Sequence, residues 1–286
     1  MKVATFIVGG VTRFGIVKPD GVVDAVRLFD KRYGSVKAAL AAGAMDQLRR
    51  LAQNAKPDYR TDTVTLLPVI PDPDKILCIG INYATHVRET GRETPKYPMI
   101  FVRFANTQVG HGQSMIKPRV SDKFDFEGEL AVVIGRRGRH IAKEKALEHV
   151  AGYACYNDGS VRDWQRHTVQ FTPGKNFVST GAFGPWMVTA DEISDPSQLT
   201  LTTRLNGEIM QQAPVSDLIF TVPDLIAYIS TFTELIPGDV IVTGTPGGVG
   251  NYREPPLFMK QGDRIEVEIS NIGVLANPIV AEESAG

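Results

Sequence analysis

Two glutamates stand at the start of an apolar run, with a single residue between them. Glu127 and Glu129 lead into the sequence LAVVIG at residues 130–135. Side chains alternate between the faces of an extended strand, so both carboxylates point the same way. Two like charges side by side are unfavourable, and a hard divalent cation, which prefers several carboxylate oxygens, would neutralise them. A solvated edge strand, on which acidic residues only limit aggregation, is an equally open alternative.

A third carboxylate, Asp158, follows the apolar segment 150–156, which is predicted to be a strand. Ligand sites collect in loops at strand ends. If Asp158 joins the two glutamates, three oxygen ligands favour Mg²⁺, Mn²⁺ or Ca²⁺ over zinc. Such a site leaves positions open for water and a bidentate substrate. Taken alone, an Asp-Gly step is more typical of a turn or a cap.

Acid–base groups occur in two further segments. His86 and Glu89 are three residues apart in a predicted short helix, so they share one face, and a carboxylate-paired imidazole can take a proton from water. An exposed polar pair is the simpler alternative. Lys175 lies between aromatic residues and glycine. A partly buried lysine there would hold a carboxylate or a developing enolate, although most lysines lie on the surface.

The glycine-rich segment TGTPGGVG at residues 243–250 follows a predicted strand. It lacks the ending of a phosphate-binding loop and the spacing of a dinucleotide-binding loop, so nucleotide binding is not favoured. Its glycines indicate a tight loop that presents one hydroxyl donor, Thr245. The sequence has neither the GxSxG signature of a serine hydrolase nor a local Cys/His arrangement for nucleophilic catalysis.

Composition limits the class of protein. The 286 residues are 43% hydrophobic and 22% charged, as expected for a chain with a packed core. A formal net charge of −1 argues against nucleic acid or an anionic membrane as a partner. Cys78 and Cys155 lie in apolar runs and are predicted to be buried free thiols. With neither a signal peptide nor a membrane span predicted, we expect a cytoplasmic protein.

The secondary-structure signals predict an α+β fold that is mainly β. Residues 1–70 form a small N-terminal unit with strands at 3–8 and 12–17 and a helix from Ser35, a plausible N-cap, to about Ala55. The proline-rich segment 68–74 reads as an extended linker. The remainder is mostly strands with a few short helices. We therefore predict two domains, 1–70 and 71–286.

The order of the motifs resembles a known family. NYATHVRE, FDFEGELAVVIG, YNDGSVRDWQ, GKNF and TGTPGGVG succeed one another as in the fumarylacetoacetate hydrolase family, and the similarity covers residues 75–283. It implies a catalytic domain of the mixed β-roll or β-sandwich type, preceded by the small domain of many bacterial members. It also implies a homodimer and one divalent metal, Mg²⁺ or else Mn²⁺ or Ca²⁺.

The resemblance implies three groups of site residues. The metal ligands are Glu127, Glu129 and Asp158. The catalytic residues, a water-activating pair and a lysine that polarises the substrate, are His86, Glu89 and Lys175. The substrate-contacting residues are Arg103, Gln165 and Thr245. Gly159 departs from the family pattern, which has a larger residue there, and is expected to widen the pocket or loosen the loop.

The expected function is metal-dependent hydrolysis of a carbon–carbon bond in a 2,4-diketo acid of the acylpyruvate or fumarylpyruvate type. The products would be a pyruvate and a carboxylic acid. One alternative uses the same metal without an attacking water, as an oxaloacetate-type decarboxylase or a 2-hydroxyhepta-2,4-diene-1,7-dioate-type isomerase. A non-catalytic metal and carboxylate binder is a second alternative. The expected partner is a small 2-oxo or 2,4-diketo acid.

Overall fold

The computed structural model describes residues 1–91 and 93–283, which form eighteen strands and seven α-helices. The strands are β1 Lys2–Val8, β2 Val11–Lys18, β3 Gly21–Asp24, β4 Thr65–Leu66, β5 Ile76–Gly80, β6 Met99–Arg103, β7 Gln108–Val109, β8 Met115–Lys117, β9 Phe124–Asp125, β10 Gly128–Ile134, β11 Val150–Asn157, β12 Ser160–Val161, β13 Gly181–Thr189, β14 Thr200–Leu205, β15 Glu208–Pro214, β16 Val240–Val242, β17 Arg264–Ile269 and β18 Gly273–Ala281. The helices are α1 Ala25–Leu28, α2 Val36–Ala41, α3 Met45–Ala52, α4 Ala84–Thr90, α5 Arg162–Gln165, α6 Thr172–Lys175 and α7 Val222–Phe232.

Two sheets dominate the described part of the chain. The larger has eleven strands in the order β3-β2-β1-β13-β11-β10-β16-β5-β6, with β4 added to β1 and β7 to β13. The smaller has the order β15-β14-β17-β18-β8. Short β9 and β12 pair with each other. Strands make up 35% of the structure, and α-helices and short 3₁₀ helices together make up 24%, so the predicted mainly β fold class is confirmed.

Strand β10 lies at the centre of the larger sheet and is buried on both faces. Leu130, Val132 and Ile134 belong to a core shared with the smaller sheet. The alternate residues Ala131 and Val133 belong to a second core, shared with the N-terminal helices. Each large apolar side chain buried in this way contributes roughly 1.5–3 kcal/mol. The strand that leads out of the two glutamates is therefore among the most firmly packed in the fold.

The N-terminal residues extend the same sheet. Strand β1 pairs antiparallel with β13 through Lys2 and Val3. The helix predicted from Ser35 begins there, and the Ser35 side chain accepts a hydrogen bond from the Ala38 amide. It is interrupted after α2, where Gly43 has a φ of +63°, a conformation that favours glycine and ends a helix. The domain division at residue 70 stays a prediction.

Several elements differ from the sequence-based expectation. The segment 68–74, predicted to be an extended linker, contains no helix or strand, and its residues Val69 and Ile70 are buried against the protein. The long strands β13 and β18 were not expected, because neither alternates clearly in sequence. Cys78 and Cys155 are free and buried, as predicted. Within residues 1–91 and 93–283, no helix combines the length and apolar character needed to cross a membrane.

The turn between β11 and β12 leaves no room for a side chain at Gly159. A Cβ there would collide with the Thr180 carbonyl oxygen and would lie 2.9 Å from Met115 Cε. The Gly159 carbonyl accepts a hydrogen bond of 2.9 Å from Arg103 Nη1. The expectation that Gly159 widens a pocket or loosens the loop is therefore wrong, because close packing against backbone requires the glycine.

We predict that Gly159→Ala lowers the free energy of unfolding by about 1–3 kcal/mol, the usual cost of an overpacked site. Urea denaturation measures this change. Gly34→Ala is the matched control, since a Cβ at Gly34 meets nothing within 4 Å, and it should change stability by less than about 0.5 kcal/mol. Equal stability of the two variants would contradict the assignment.

Candidate active site

The three predicted metal ligands meet at one end of the β10–β11 pair. Gly128 pairs with Asn157 in the antiparallel register, which places Glu127 and Glu129 beside the residue that follows β11, Asp158. One carboxylate oxygen from each of the three lies within 4.8 Å of the others, and all three residues are buried. The sheet register therefore brings together what the sequence separates by about thirty residues.

Buried cations lie between these carboxylates. Lys175 Nζ is 2.7 Å from Glu127 Oε2 and 2.7 Å from Asp158 Oδ2. Arg162 Nη1 is 2.6 Å from the other oxygen of Glu127, and Arg162 Nε is 2.8 Å from Asp125 Oδ2. Although burial acts to raise the pKa of Glu127, the charges of Lys175 and Arg162 lower it to about 2. Glu127 is therefore held in its charged form.

Arg103 forms a further buried ion pair with Asp158. Its Nη1 donates to Asp158 Oδ1, and both side chains are fully buried. The result is a row of ion pairs with alternating sign, here called the charge chain: Asp125, Arg162, Glu127, Lys175, Asp158 and Arg103. Arg103 was expected to contact substrate. The structure shows its guanidinium buried against Asp158 and not among the described residues that line the cavity, so a contact with substrate stays a prediction.

Glu129 lies beside the charge chain with no cation of its own among the described residues. Its Oε2 accepts a hydrogen bond from the Gly244 amide. Burial raises the pKa of Glu129 well above its usual range, and the negative charges of Asp158 and Glu127 raise it further. The six groups of the charge chain balance one another, so an ionised Glu129 adds a negative charge that no cation among the described side chains opposes. The donor set fits a hard divalent cation such as Mg²⁺ or Mn²⁺.

His86 and Glu89 form the predicted pair on helix α4. His86 Nδ1 and Glu89 Oε2 are 2.9 Å apart. The second oxygen of Glu89 accepts a hydrogen bond of 2.8 Å from the Gly248 amide, and Thr85 Oγ1 accepts one of 3.2 Å from Gly247. The glycine-rich loop therefore holds α4 in place. Since Nδ1 is occupied, the His86 Nε2 atom is the ring nitrogen left to act on a ligand.

One cavity joins the acid–base pair to the carboxylates. Six of the nine sequence-predicted residues line it, namely His86, Glu127, Glu129, Gln165, Lys175 and Thr245. The other three, Glu89, Arg103 and Asp158, lie behind its wall and contact the lining residues His86 and Lys175 or each other. The cavity thus has carboxylates, a lysine and an imidazole on its wall.

The Thr245 hydroxyl is tied into the wall. It donates to the Gly128 carbonyl at 2.9 Å and accepts from Gln211 Nε2 at 2.8 Å. Gln211 Oε1 in turn accepts from the Gly128 amide at 3.0 Å. The hydroxyl proton is therefore used within the protein. Gln211 has no neighbouring motif in the sequence, and only its pairing position on β15 could have indicated it.

Sequence reasoning also missed Arg162, Asp125 and Ile81. Arg162 lines the cavity, and its buried Nη2 has no hydrogen-bond partner among the described residues. Ile81, also on the wall, has a φ of +55°, which is strained for a β-branched residue. Arg162 lies four residues after Asp158 and Asp125 two before Glu127, so both stood inside the motifs already identified, but their pairing depends on the fold.

Comparisons with known proteins agree on one family. The family model described as "Fumarylacetoacetate (FAA) hydrolase C-terminal" matches residues 75–280. The mitochondrial oxaloacetate tautomerase of Bos taurus is 43% identical over 82% of this chain and 75% of its own length. The oxaloacetate tautomerase of Bacillus subtilis is 44% identical over 77% of this chain and 75% of its own length.

Solved structures share the whole fold. A fumarylacetoacetate hydrolase from Exiguobacterium antarcticum superposes with a TM-score of 0.85 at 32% identity, covering 99% of this chain and 100% of that one. A maleylpyruvate hydrolase from Sphingobium sp., in complex with manganese(II) and pyruvate, gives 0.82 at 28% identity with the same coverage. These matches, together with the three carboxylates at the end of β10 and β11, show that the chain belongs to the fumarylacetoacetate hydrolase family.

Proposed function

We propose that this chain is a divalent-metal-dependent tautomerase that interconverts the keto and enol forms of oxaloacetate or a closely related 2-oxo dicarboxylic acid. The observation that carries the proposal is the position of His86. It is oriented by Glu89 and lines the same cavity as Glu127 and Glu129. The identities of 43% and 44% to oxaloacetate tautomerases support this choice of reaction.

The metal would be held by Glu127, Glu129 and Asp158. Mg²⁺ and Mn²⁺ both suit three carboxylates, and the manganese complex of the Sphingobium relative supports a divalent ion. When bound, the ion supplies Lewis-acid polarisation of the 2-oxo group. The charges of the site support the assignment as well, because a bound cation would oppose the negative charge of Glu129, which no residue of the charge chain does.

Tautomerisation needs one base and no added water. His86 Nε2 would take a proton from C3 of the keto acid, while the electron pair of that C–H bond forms the C2–C3 double bond and the carbonyl electrons move to oxygen. Protonation of that oxygen gives the enol, so no atom is gained or lost. Lys175 has three N–H donors and uses two on carboxylates, which leaves one to stabilise the negative oxygen.

Two further groups suit a dicarboxylic substrate. Gln165 lines the cavity, as expected of a substrate contact. Arg166, its neighbour, also lines the cavity and is exposed. Within residues 1–91 and 93–283 no acidic side chain pairs with Arg166. A second carboxylate on the substrate would supply that partner.

Carbon–carbon bond hydrolysis is the second candidate, and it is the reaction that the sequence favoured. The His86–Glu89 pair would equally activate a water for attack on a distal carbonyl. The maleylpyruvate hydrolase structure, 28% identical, supports this reading. Oxaloacetate decarboxylation and isomerisation of a 2-hydroxyhepta-2,4-diene-1,7-dioate use the same residues. The homodimer and the cytoplasmic location also stay predictions.

A substrate panel separates these reactions. We expect the protein to accelerate the enol-to-keto conversion of oxaloacetate, measured by ultraviolet absorbance, and we expect a chelator to abolish this acceleration. The rate should exceed the turnover rates of fumarylpyruvate, other acylpyruvates and a hydroxymuconate dioate. Pyruvate release, measured with a coupled dehydrogenase, reports hydrolysis and decarboxylation. Faster pyruvate release from fumarylpyruvate than tautomerisation of oxaloacetate would assign hydrolysis instead.

We predict that His86→Gln lowers the tautomerisation rate by ~10²–10⁴-fold, the usual loss for a general base, and leaves Mn²⁺ binding intact. Stopped-flow absorbance and calorimetry measure the two quantities. His149→Gln is the control, since His149 is partly exposed, lies outside the cavity lining and has its Nδ1 3.0 Å from the Arg136 carbonyl oxygen. A full rate in His86→Gln would place the base elsewhere.

We predict opposite effects of Glu129→Gln on stability and on metal binding. Glutamine keeps an oxygen for the Gly244 amide and cannot ionise. Because the pKa of Glu129 is raised in the folded protein, the glutamate costs stability at any pH above that at which an unfolded glutamate ionises. The chelator-treated variant should therefore unfold about 2–4 °C higher at neutral pH, equivalent to ~1 kcal/mol. Mn²⁺ affinity should fall by at least ~10–100-fold, the range for loss of even an outer partner of a metal site.

Thermal unfolding in chelator and Mn²⁺ calorimetry test the Glu129→Gln variant. Glu268→Gln serves as the control, because Glu268 is a partly exposed strand glutamate paired with Arg204. A lower unfolding temperature together with native Mn²⁺ affinity would exclude Glu129 from the metal site.

A further inference from the structure

We propose that Asp125 is a positioning residue with two roles. It shares the Arg162 guanidinium with Glu127, which leaves Glu127 available to the metal. It also anchors the cavity wall beside His86. Asp125 does not itself line the cavity. The inference rests on the proposed metal site. Neither the motif resemblance nor the similarity to known proteins gives Asp125 a role.

The carboxylate of Asp125 is fully buried and accepts four hydrogen bonds. Oδ1 accepts from the amides of Phe126 and Gly250, each at 2.8 Å. Oδ2 accepts from the Asn251 amide at 2.9 Å and from Arg162 Nε at 2.8 Å. Two donors on each oxygen, one of them cationic, make full use of an ionised carboxylate.

Only a carboxylate satisfies these four donors. Asparagine has the same shape, but it replaces one acceptor oxygen by an NH₂ group. That group would face either the amides of Phe126 and Gly250 or the amide of Asn251 and Arg162 Nε. Asp125→Asn therefore removes charge and acceptors without changing volume, which makes it a sharp probe of this position.

The guanidinium of Arg162 is shared between two carboxylates. Nε bonds Asp125, and Nη1 lies 2.6 Å from Glu127 Oε1 and 3.1 Å from Gln165 Oε1. The planar fork fixes both contacts at once. Without the negative charge of Asp125, the whole charge of Arg162 would act on Glu127 and compete with a metal ion for its oxygens. Asp125 therefore favours metal binding through Arg162.

The same carboxylate fixes one wall of the cavity. Gly250 and Asn251 begin the 3₁₀ turn Gly250–Tyr252, and Asn251 and Tyr252 both line the cavity. The Tyr252 ring meets the His86 ring edge to face, with centroids 6.1 Å apart. Anchoring the first two amides of the turn therefore holds Tyr252 against the proposed base.

The test is Mn²⁺ affinity, measured by calorimetry on the full chain at a temperature where each variant is folded. We expect Asp125→Asn to bind Mn²⁺ about 10–100-fold more weakly, the range for partners that orient metal ligands. Asp239→Asn is the matched control. Asp239 is also fully buried and accepts from a backbone amide and a cation, Ile236 N and Lys75 Nζ, each at 2.9 Å. A merely structural role would lower stability in both variants and leave Mn²⁺ affinity at the native value.

A double variant tests the route through Arg162. In an Arg162→Met background the additional substitution Asp125→Asn should change Mn²⁺ affinity by less than about 3-fold, because the cation that Asp125 and Glu127 share is absent. If Asp125→Asn alone does not fold, the double variant should fold, since the buried Arg162 cation that has lost one of its two carboxylates is gone. Native Mn²⁺ affinity in Asp125→Asn, an equal loss in both backgrounds, or failure of both variants to fold would each overturn the inference. Absence of Mn²⁺ binding by the native protein would instead overturn the metal site, and this inference with it.

Discussion

A buried row of alternating charges is the constraint on which the site depends. Asp125, Arg162, Glu127, Lys175, Asp158 and Arg103 neutralise one another in pairs, and Glu129 is left over. Burying ion pairs does not by itself stabilise a protein, because desolvation offsets much of the attraction. Glu127, Glu129 and Asp158 lie close enough together to share one divalent cation, and such a cation would oppose the charge of an ionised Glu129.

The fold supplies the rigidity that such a cluster needs. Strand β10 is buried between two apolar cores, so Glu127 and Glu129 project from backbone that cannot readily move. Lys175, Arg162 and Arg103 come from three other elements, α6, α5 and β6, which converge on the end of the β10–β11 pair. The glycine-rich loop after β16 then presents amides to Glu129 and Glu89. Ile81, on the cavity wall, has a positive φ.

Contacts between residues close in sequence could be predicted, whereas contacts that depend on strand pairing in the sheet could not. His86 and Glu89 are one helical turn apart, so their contact follows from spacing alone. Glu127, Glu129 and Asp158 could be grouped because family motifs supply an order for them. Arg103 and Asp158 are 55 residues apart, and nothing in either segment shows that the arginine lies behind the aspartate. Gly159 was misinterpreted for the same reason, since Thr180 fills the space only in the folded chain.

The reaction is the least readable feature, because one set of residues suits proton transfer and hydrolysis alike. Both reactions require a cation held by Glu127, Glu129 and Asp158. Titration of Mn²⁺ into the chelator-treated native protein, followed by calorimetry and thermal unfolding, measures whether these residues bind one. We expect one ion per chain and a rise in stability of about 2.7 kcal/mol when free Mn²⁺ is 100 times its dissociation constant. No heat of binding and no shift in the unfolding temperature would show that the cluster does not hold a metal.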